Sequence, residues 1–267
     1  MTKIDTPELV LVEKHGPTTV ITINRPHKRN CVNGPTARAL YQAFLNFDAD
    51  PMAKVAILTG ADLAAIKNQD DANPMSSDWP EELPGPIGPM GPSRMVLSKP
   101  VIAAISGFAV AGGLELALWC DIRIVDSSAT LGVFCRLRGV PLIDGGTVRL
   151  PQVVGRGVAM DLMLTGREVR AQEALRIGLA TSYPPSYETV SQTPALDQAL
   201  ALAAVLAGHP QTCMRNDRLS THAAHPIREA MLKEFDLGLA TLTSGEFMDA
   251  IAKFFAQTES KKAIAKL

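Results

Sequence analysis

Lys99-Pro-Val-Ile-Ala-Ala-Ile-Ser-Gly-Phe-Ala-Val-Ala-Gly-Gly-Leu-Glu-Leu-Ala-Leu-Trp-Cys-Asp121 is the stretch that decides how this chain is read. It predicts a buried strand over Val101 to Ile105, where polar side chains are few. Gly107 marks a turn. A helix then opens at Ala111-Gly112-Gly113 and carries Glu115 in its first turn. The first N–H groups of a helix lack intrahelical partners and attract negative charge. A reaction that develops an oxyanion would find a donor at Gly112 and a proton-moving carboxylate, Glu115, beside it. Two plainer readings stand next to these. Gly112-Gly113 also suits close helix packing, and a first-turn glutamate also complements the helix dipole.

Working outward, Leu9 to Val12 and Thr18 to Ile23 predict two strands joined through His15-Gly16-Pro17. Pro35 to Phe47 has helical periodicity, with Ala39, Leu40, Ala43, Phe44 and Phe47 on one face. Val55 to Leu58, Ile122 to Val125 and Thr130 to Phe134 are short strands. From Gly145 onward the pattern turns helical, over Val158 to Leu164, Ala171 to Ile177, Leu196 to Ala207 and Pro226 to Thr243. Gly245 then precedes a short amphipathic segment through Phe255. Strands alternating with helices, then helices alone, indicate an α/β core (residues 1–195) followed by a helical region (196–267). Asn73 to Pro92 is rich in proline and glycine and reads as a semi-rigid surface loop, with a lid or pocket wall as the alternative. Tyr183 to Pro194 reads as a linker.

The 267 residues suffice for a full core, and 46% hydrophobic with 20% charged residues is ordinary for a globular protein. A net charge of −1 gives no general pull toward nucleic acid or anionic membrane. No apolar run approaches the ~20 residues of a membrane span. The N-terminus has no apolar signal core. Cys31, Cys120, Cys135 and Cys213 are widely spaced, which suits free thiols in the cytoplasm. The motifs GxxxxGK[ST], HExxH and GxSxG are absent. His222 and His225 read as a surface pair rather than a metal site, and no metal is expected.

Ile105-Ser-Gly-Phe-Ala-Val-Ala-Gly-Gly-Leu-Glu-Leu-Ala117 resembles the central signature of the crotonase superfamily, the enoyl-CoA hydratase/isomerase family. Asn24-Arg-Pro-His-Lys-Arg-Asn30, Ala56 to Gly60, Ala61-Asp-Leu63, Pro141 to Leu150, Leu164 to Glu168 and Ala171 to Gly178 follow in the family's order. The resemblance implies a spiral of β-β-α units with C-terminal helices that form a homotrimer or homohexamer. It implies an acyl-CoA thioester as ligand, with no cofactor beyond the coenzyme A of the substrate, and hydration of a 2-enoyl-CoA to a 3-hydroxyacyl-CoA. The oxyanion donors implied are the N–H groups of Ala61 and Gly112, and Glu115 acts on the water. Arg25, Lys28 and Arg29 would lie beside the adenosine diphosphate, with Asp62 and Leu63 opening a helix after Ala61. Lys253, beside Phe254 and Phe255, would reach a neighbouring subunit's CoA. For Arg25, Lys28 and Arg29 a solvated basic turn is the alternative. Phe108, Trp79 and Trp119 would line an acyl pocket or sit in the core.

Two departures bear on the reaction. Family hydratases carry a second glutamate where Leu131-Gly-Val-Phe-Cys-Arg-Leu-Arg-Gly139 places Cys135, and a thiol is a poor carboxylic acid donor. Asp144 is the nearest alternative carboxylate, or else an N-cap for the helix after Gly145. The family also carries several residues between positions matching Gly60 and Ala61, so the loop that aims the first donor is short here. Apolar Leu114, Leu116 and Leu118 would raise the pKa of Glu115 and the helix N-terminus would lower it. The alternatives to hydration are isomerisation or other CoA-enolate chemistry, and acyl-CoA binding without catalysis.

Overall fold

The computed structural model describes residues 9–60, 63–64, 86–186, 189–223 and 227–243, and beyond them 249, 252, 253 and 256. In chain order the elements begin with β1 (Val10–His15), β2 (Thr18–Ile23), α1 (Gly34–Ala49), β3 (Val55–Thr59), β4 (Leu63–Ala64), β5 (Val101–Ile105) and β6 (Phe108–Val110). They continue with α2 (Gly112–Trp119), β7 (Ile122–Val125), β8 (Thr130–Gly132), α3 (Gly146–Thr165), β9 (Val169–Arg170), α4 (Ala171–Arg176), α5 (Ala195–Gly208), α6 (Gln211–Ala223) and α7 (Ile227–Leu242).

One sheet has the order β1-β2-β3-β5-β7, antiparallel at β1–β2 and parallel elsewhere. Its two faces follow from the two-residue period of a strand. Val20, Val55, Ile57, Ile102, Ala104 and Ile124 point to one side, where α5 lays down Ala195, Ala199, Ala203 and Ala207. Alanine at four-residue spacing leaves a smooth stripe, so the helix sits close on the sheet. Ile21, Ile23, Ala56, Leu58, Ala103, Ile105 and Val125 point to the other side, into the larger core with Leu40, Phe44 and Phe47 of α1. Phe44 is fully buried and meets Trp119 edge to face at 4.8 Å. Burial of one such ring contributes about 1.5–3 kcal/mol. α1 is capped by the Asn33 side chain, which accepts from Thr36 N–H at 3.2 Å.

The second sheet, β4-β6-β8-β9, carries the site. β4 runs parallel to β6, with Leu63 opposite Ala109 and Ala64 opposite Val110. β6 feeds directly into α2 through Ala111, whose φ of 53° is uncommon for a residue with a side chain. Its N–H donates to the Gly132 carbonyl at 3.0 Å, so the end of β8 pins the turn.

Several expectations need correction. Leu63 does not open a helix; the parallel pairing with β6 makes Leu63–Ala64 a strand. The strand from Thr130 stops at Gly132, because Phe134–Arg138 tighten into a short 3-10 helix. The helix expected at Val158 begins at Gly146 and kinks at Gly155, where φ is 76°. The described end of the proline-rich stretch is buried, not on the surface: Gly88 and Gly91 bridge each other, and Met90 and Ser93 are buried behind them. Helix α6 docks through Arg218, which pairs with Asp121 at 2.8 Å. Trp79 and the segment from Gly245 through Phe255 lie outside the described residues, apart from 249, 252 and 253.

Candidate active site

All eight residues of α2 are buried, Glu115 among them. A carboxylate at that depth needs donors. Two backbone groups supply them: Asp144 N–H reaches Glu115 Oε1 at 2.8 Å and Gly146 N–H reaches it at 3.0 Å. Burial, followed by the nearby charges of Asp144 and Glu234, pushes the Glu115 carboxyl well above the usual carboxylate range, against the pull of the two backbone donors. The contest between apolar surroundings and backbone donors is therefore won by burial.

The start of α2 has no side-chain cap. Gly112 is its first residue, so the helix end beside Glu115 keeps the electropositive character of backbone donors. Ala61 and Asp62 lie outside the described residues, as does their junction with Gly60, and Leu63 is described only by its backbone.

Asp144 is buried but does not cap α3. The N-cap is Gly145, at φ 93°, with no side-chain bond of its own. The Asp144 carboxylate turns instead to the loop before β5, where Oδ1 accepts from Met90 N–H at 2.9 Å and from the Ser93 hydroxyl. Burial raises its pKa to about 6, opposed by the Ser93 and Met90 bonds and by the charge of Arg94.

The caps of α3 come from elsewhere in the chain. Glu234, on α7, accepts from Gly145 N–H at 2.6 Å, Thr147 N–H at 2.7 Å and the Thr147 hydroxyl at 2.6 Å. Arg149 donates to the Asp144 carbonyl at 2.8 Å and to the Ser93 carbonyl at 2.7 Å. Arg94 lies 4.6 Å over the Phe235 ring. Three buried carboxylates therefore face two buried guanidinium groups. Sequence reasoning missed Ser93, Arg94, Arg149 and Glu234. Arg149 sits inside the Pro141 to Leu150 motif and was findable there. A glutamate on an amphipathic helix carries no such signal.

Cys135 is buried in the short 3-10 helix, and burial, then the charge of Glu115, pushes its thiol up to about 12. It is a neutral thiol within the field of Glu115. All four cysteines are free: Cys213 exposed, Cys31 half-buried, Cys120 and Cys135 buried. A maleimide is expected to label Cys213 first and Cys31 next, and to reach Cys120 and Cys135 only on unfolding. Equal rates at all four, read by peptide mass mapping, would contradict this placement.

Of the basic candidates, Lys28 and Arg29 are exposed, whereas Arg25 is half-buried and donates to the Cys31 carbonyl. Lys253 is helical and exposed. Trp119 belongs to the core, with its indole N–H on the Met95 carbonyl at 2.9 Å, and Phe108 is exposed. His222 lies 3.2 Å from Asp121, and His225 is outside the described residues. Among the described residues no group of three His, Cys, Asp or Glu is arranged to hold a metal, and no helix is long and apolar enough to cross a membrane.

The family model of enoyl-CoA hydratase/isomerase matches residues 13–244. A probable enoyl-CoA hydratase of Rhizobium meliloti is 31% identical over 258 residues, covering 95% of this chain and 97% of its own length. A carnitinyl-CoA dehydratase of Salmonella arizonae is 34% identical over 202 residues, 75% of this chain and 77% of its own. The crystal structure of an enoyl-CoA hydratase from Mycobacterium avium superposes with a TM-score of 0.73 at 32% identity, covering 90% of this chain and 99% of that one.

Proposed function

The chain belongs to the enoyl-CoA hydratase/isomerase family and has its crotonase fold, and from that premise we propose that it is an acyl-CoA hydratase, adding water across the double bond of a 2-enoyl-CoA to give the 3-hydroxyacyl-CoA. One observation carries the assignment of Glu115 to this chemistry. It is a buried carboxyl in the first turn of α2, held by two backbone N–H groups at one oxygen, with its proton affinity raised. A group that takes a proton from water and returns it to carbon works best when its pKa lies near the working pH. The N–H of Gly112, with that of Ala61 by family resemblance, takes the thioester oxyanion. Arg25, Lys28, Arg29, Asp62, Leu63 and Lys253 are carried over to the CoA moiety. Of these, the exposed Lys28 and Arg29 suit phosphate contact best.

Residues 1–195 serve in this reading as the core that binds acyl-CoA. Residues 196–267 serve in it as the region used for a homotrimer or homohexamer in the cytoplasm, with α5 lying on the core sheet. No cofactor beyond the CoA of the substrate is required.

The test is purified protein with crotonyl-CoA, following loss of the enoyl-thioester absorbance and the product mass. A gain of one water supports hydration, and unchanged absorbance overturns it for this substrate. The neutral thiol at Cys135 favours one second reading, double-bond isomerisation of an enoyl-CoA through its enolate, which needs only one proton shuttle. A 3-enoyl-CoA that gains conjugated absorbance without a change of mass would support it.

Gly146 supplies a further test. A Cβ there would stand 3.0 Å from Glu115 Oε1 and 3.0 Å from Leu142 Cδ1. Gly146→Ala is therefore expected to displace the Glu115 carboxylate and lower kcat about tenfold, with little change in Tm. Full activity in the variant would show that the position of Glu115 is not what limits turnover.

A further inference from the structure

Glu234 and Glu115 come from distant parts of the chain, yet they share one helix end. The backbone N–H groups at 144 and 146 point to Glu115, and those at 145 and 147 point to Glu234. The two carboxylates alternate around a single turn. Gly145 gives that turn its shape, and a Cβ there would lie 2.2 Å from Arg149 Nη1. Helix α7 is fixed in turn. Met231 and Phe235 are buried, and Gly238 packs so closely that a Cβ would meet Ile143 Cγ2 at 2.1 Å.

We propose that Glu234 is a positioning residue for the hydration reaction: by holding the N–H groups of Gly145 and Thr147, it aims those of Asp144 and Gly146 at Glu115. This rests on the role given to Glu115 above. A helix N-terminus needs only a small acceptor such as serine or asparagine, and burying a full charge for that purpose is costly. A carboxylate placed here does more. It holds the turn whose other donors reach Glu115, and its like charge keeps the proton on Glu115 against those donors. The groups that face Glu115 are the carboxylates of Asp144 and Glu234, the thiol of Cys135 and the guanidinium of Arg149. Arg94 faces Asp144 and Glu234.

Glu234→Gln tests the proposal. On crotonyl-CoA, kcat is expected to fall about tenfold while KM stays within about twofold. The limb of the kcat–pH profile that reports Glu115 moves to lower pH. A second readout needs no turnover: the Glu115 carboxyl carbon, isotopically labelled and assigned by its loss in Glu115→Gln, titrates at lower pH in Glu234→Gln. Thr147→Val removes only the hydroxyl contact that holds Glu234 and is expected to lower kcat by a smaller factor at unchanged KM, which covers the case where Glu234→Gln fails to fold. A Glu115 titration that stays in place or rises in Glu234→Gln, or a kcat unchanged in Thr147→Val, overturns the proposal, even if Tm falls, and leaves Glu234 a helix cap alone. A wild-type protein that leaves crotonyl-CoA unchanged would sink the hydratase reading, while the Glu115 titration still decides this one.

Discussion

Glu115→Gln is expected to lower kcat on crotonyl-CoA by about a thousandfold, to leave thioester binding nearly unchanged, and to raise stability at neutral pH. Glutamine keeps the shape of the side chain and an oxygen that accepts from Asp144 and Gly146 N–H, so the turn at the start of α3 stays in place. What it loses is the capacity to exchange a proton. The gain in stability follows from the same burial that raises the proton affinity of the residue. A carboxyl whose folded-state pKa is raised lends its stability below the unfolded value, and that contribution is lost as pH rises through the folded value. Between those two values the folded protein keeps a proton that the unfolded chain gives up, and the amide, with no proton to lose, escapes that penalty. Turnover in the variant equal to wild type, with bound thioester confirmed by calorimetry, would remove Glu115 from the mechanism.

The fold was largely legible because its parallel strands are covered on both sides and stand out as unbroken apolar runs, such as Val55 to Leu58 and Val101 to Ile105. The alanine spacing of α5 was readable for the same reason: a face packed on a sheet leaves its period in the sequence. Two of the shortest strands were not legible. Leu63–Ala64 and Phe108–Val110 are held by pairing with each other, and neither carries enough residues to show a period. The first half of α3 was hidden by Pro151 and Gly155, which interrupt a helical pattern.

The site divides along similar lines. Gly112 and Glu115 lie in one local stretch whose helix-terminus chemistry follows from order alone. Asp144 was noticed as a carboxylate, but its partners, Met90 and Ser93, come from a proline-rich segment about fifty residues away. Glu234 was invisible, since Lys233-Glu234-Phe235 has the pattern of any amphipathic surface helix. Only tertiary packing turns its charge inward, onto Gly145 and Thr147.

Asp144→Asn is expected to stabilise the folded protein at pH 8, and the gain should shrink as pH falls. Asparagine can keep its oxygen on Met90 N–H and the Ser93 hydroxyl, so the loop contact survives. Arg94 keeps the charge of Glu234 and the Phe235 ring as partners. In the wild type, burial lifts Asp144 from an ordinary 3.8 to about 6, despite Arg94 and the two hydrogen bonds. The sign follows from proton counting. Between those two values the folded state holds more protons than the unfolded state, so stability declines as pH rises through the window and is flat above it. At about 1.4 kcal/mol per pH unit, the difference between wild type and variant should reach about 3 kcal/mol at pH 8 and nearly vanish toward the unfolded value of about 4. Urea midpoints taken at several pH values between these limits would show the slope. A variant less stable at pH 8, or a difference that ignores pH, would mean that the ionised carboxylate is a net stabilising partner of Arg94. In that case Asp144 would be charged during turnover and unable to serve as the acid that Cys135 does not supply. The expected result leaves Asp144 neutral over the lower part of the working range, with a proton to give, next to the one carboxylate that α2 provides.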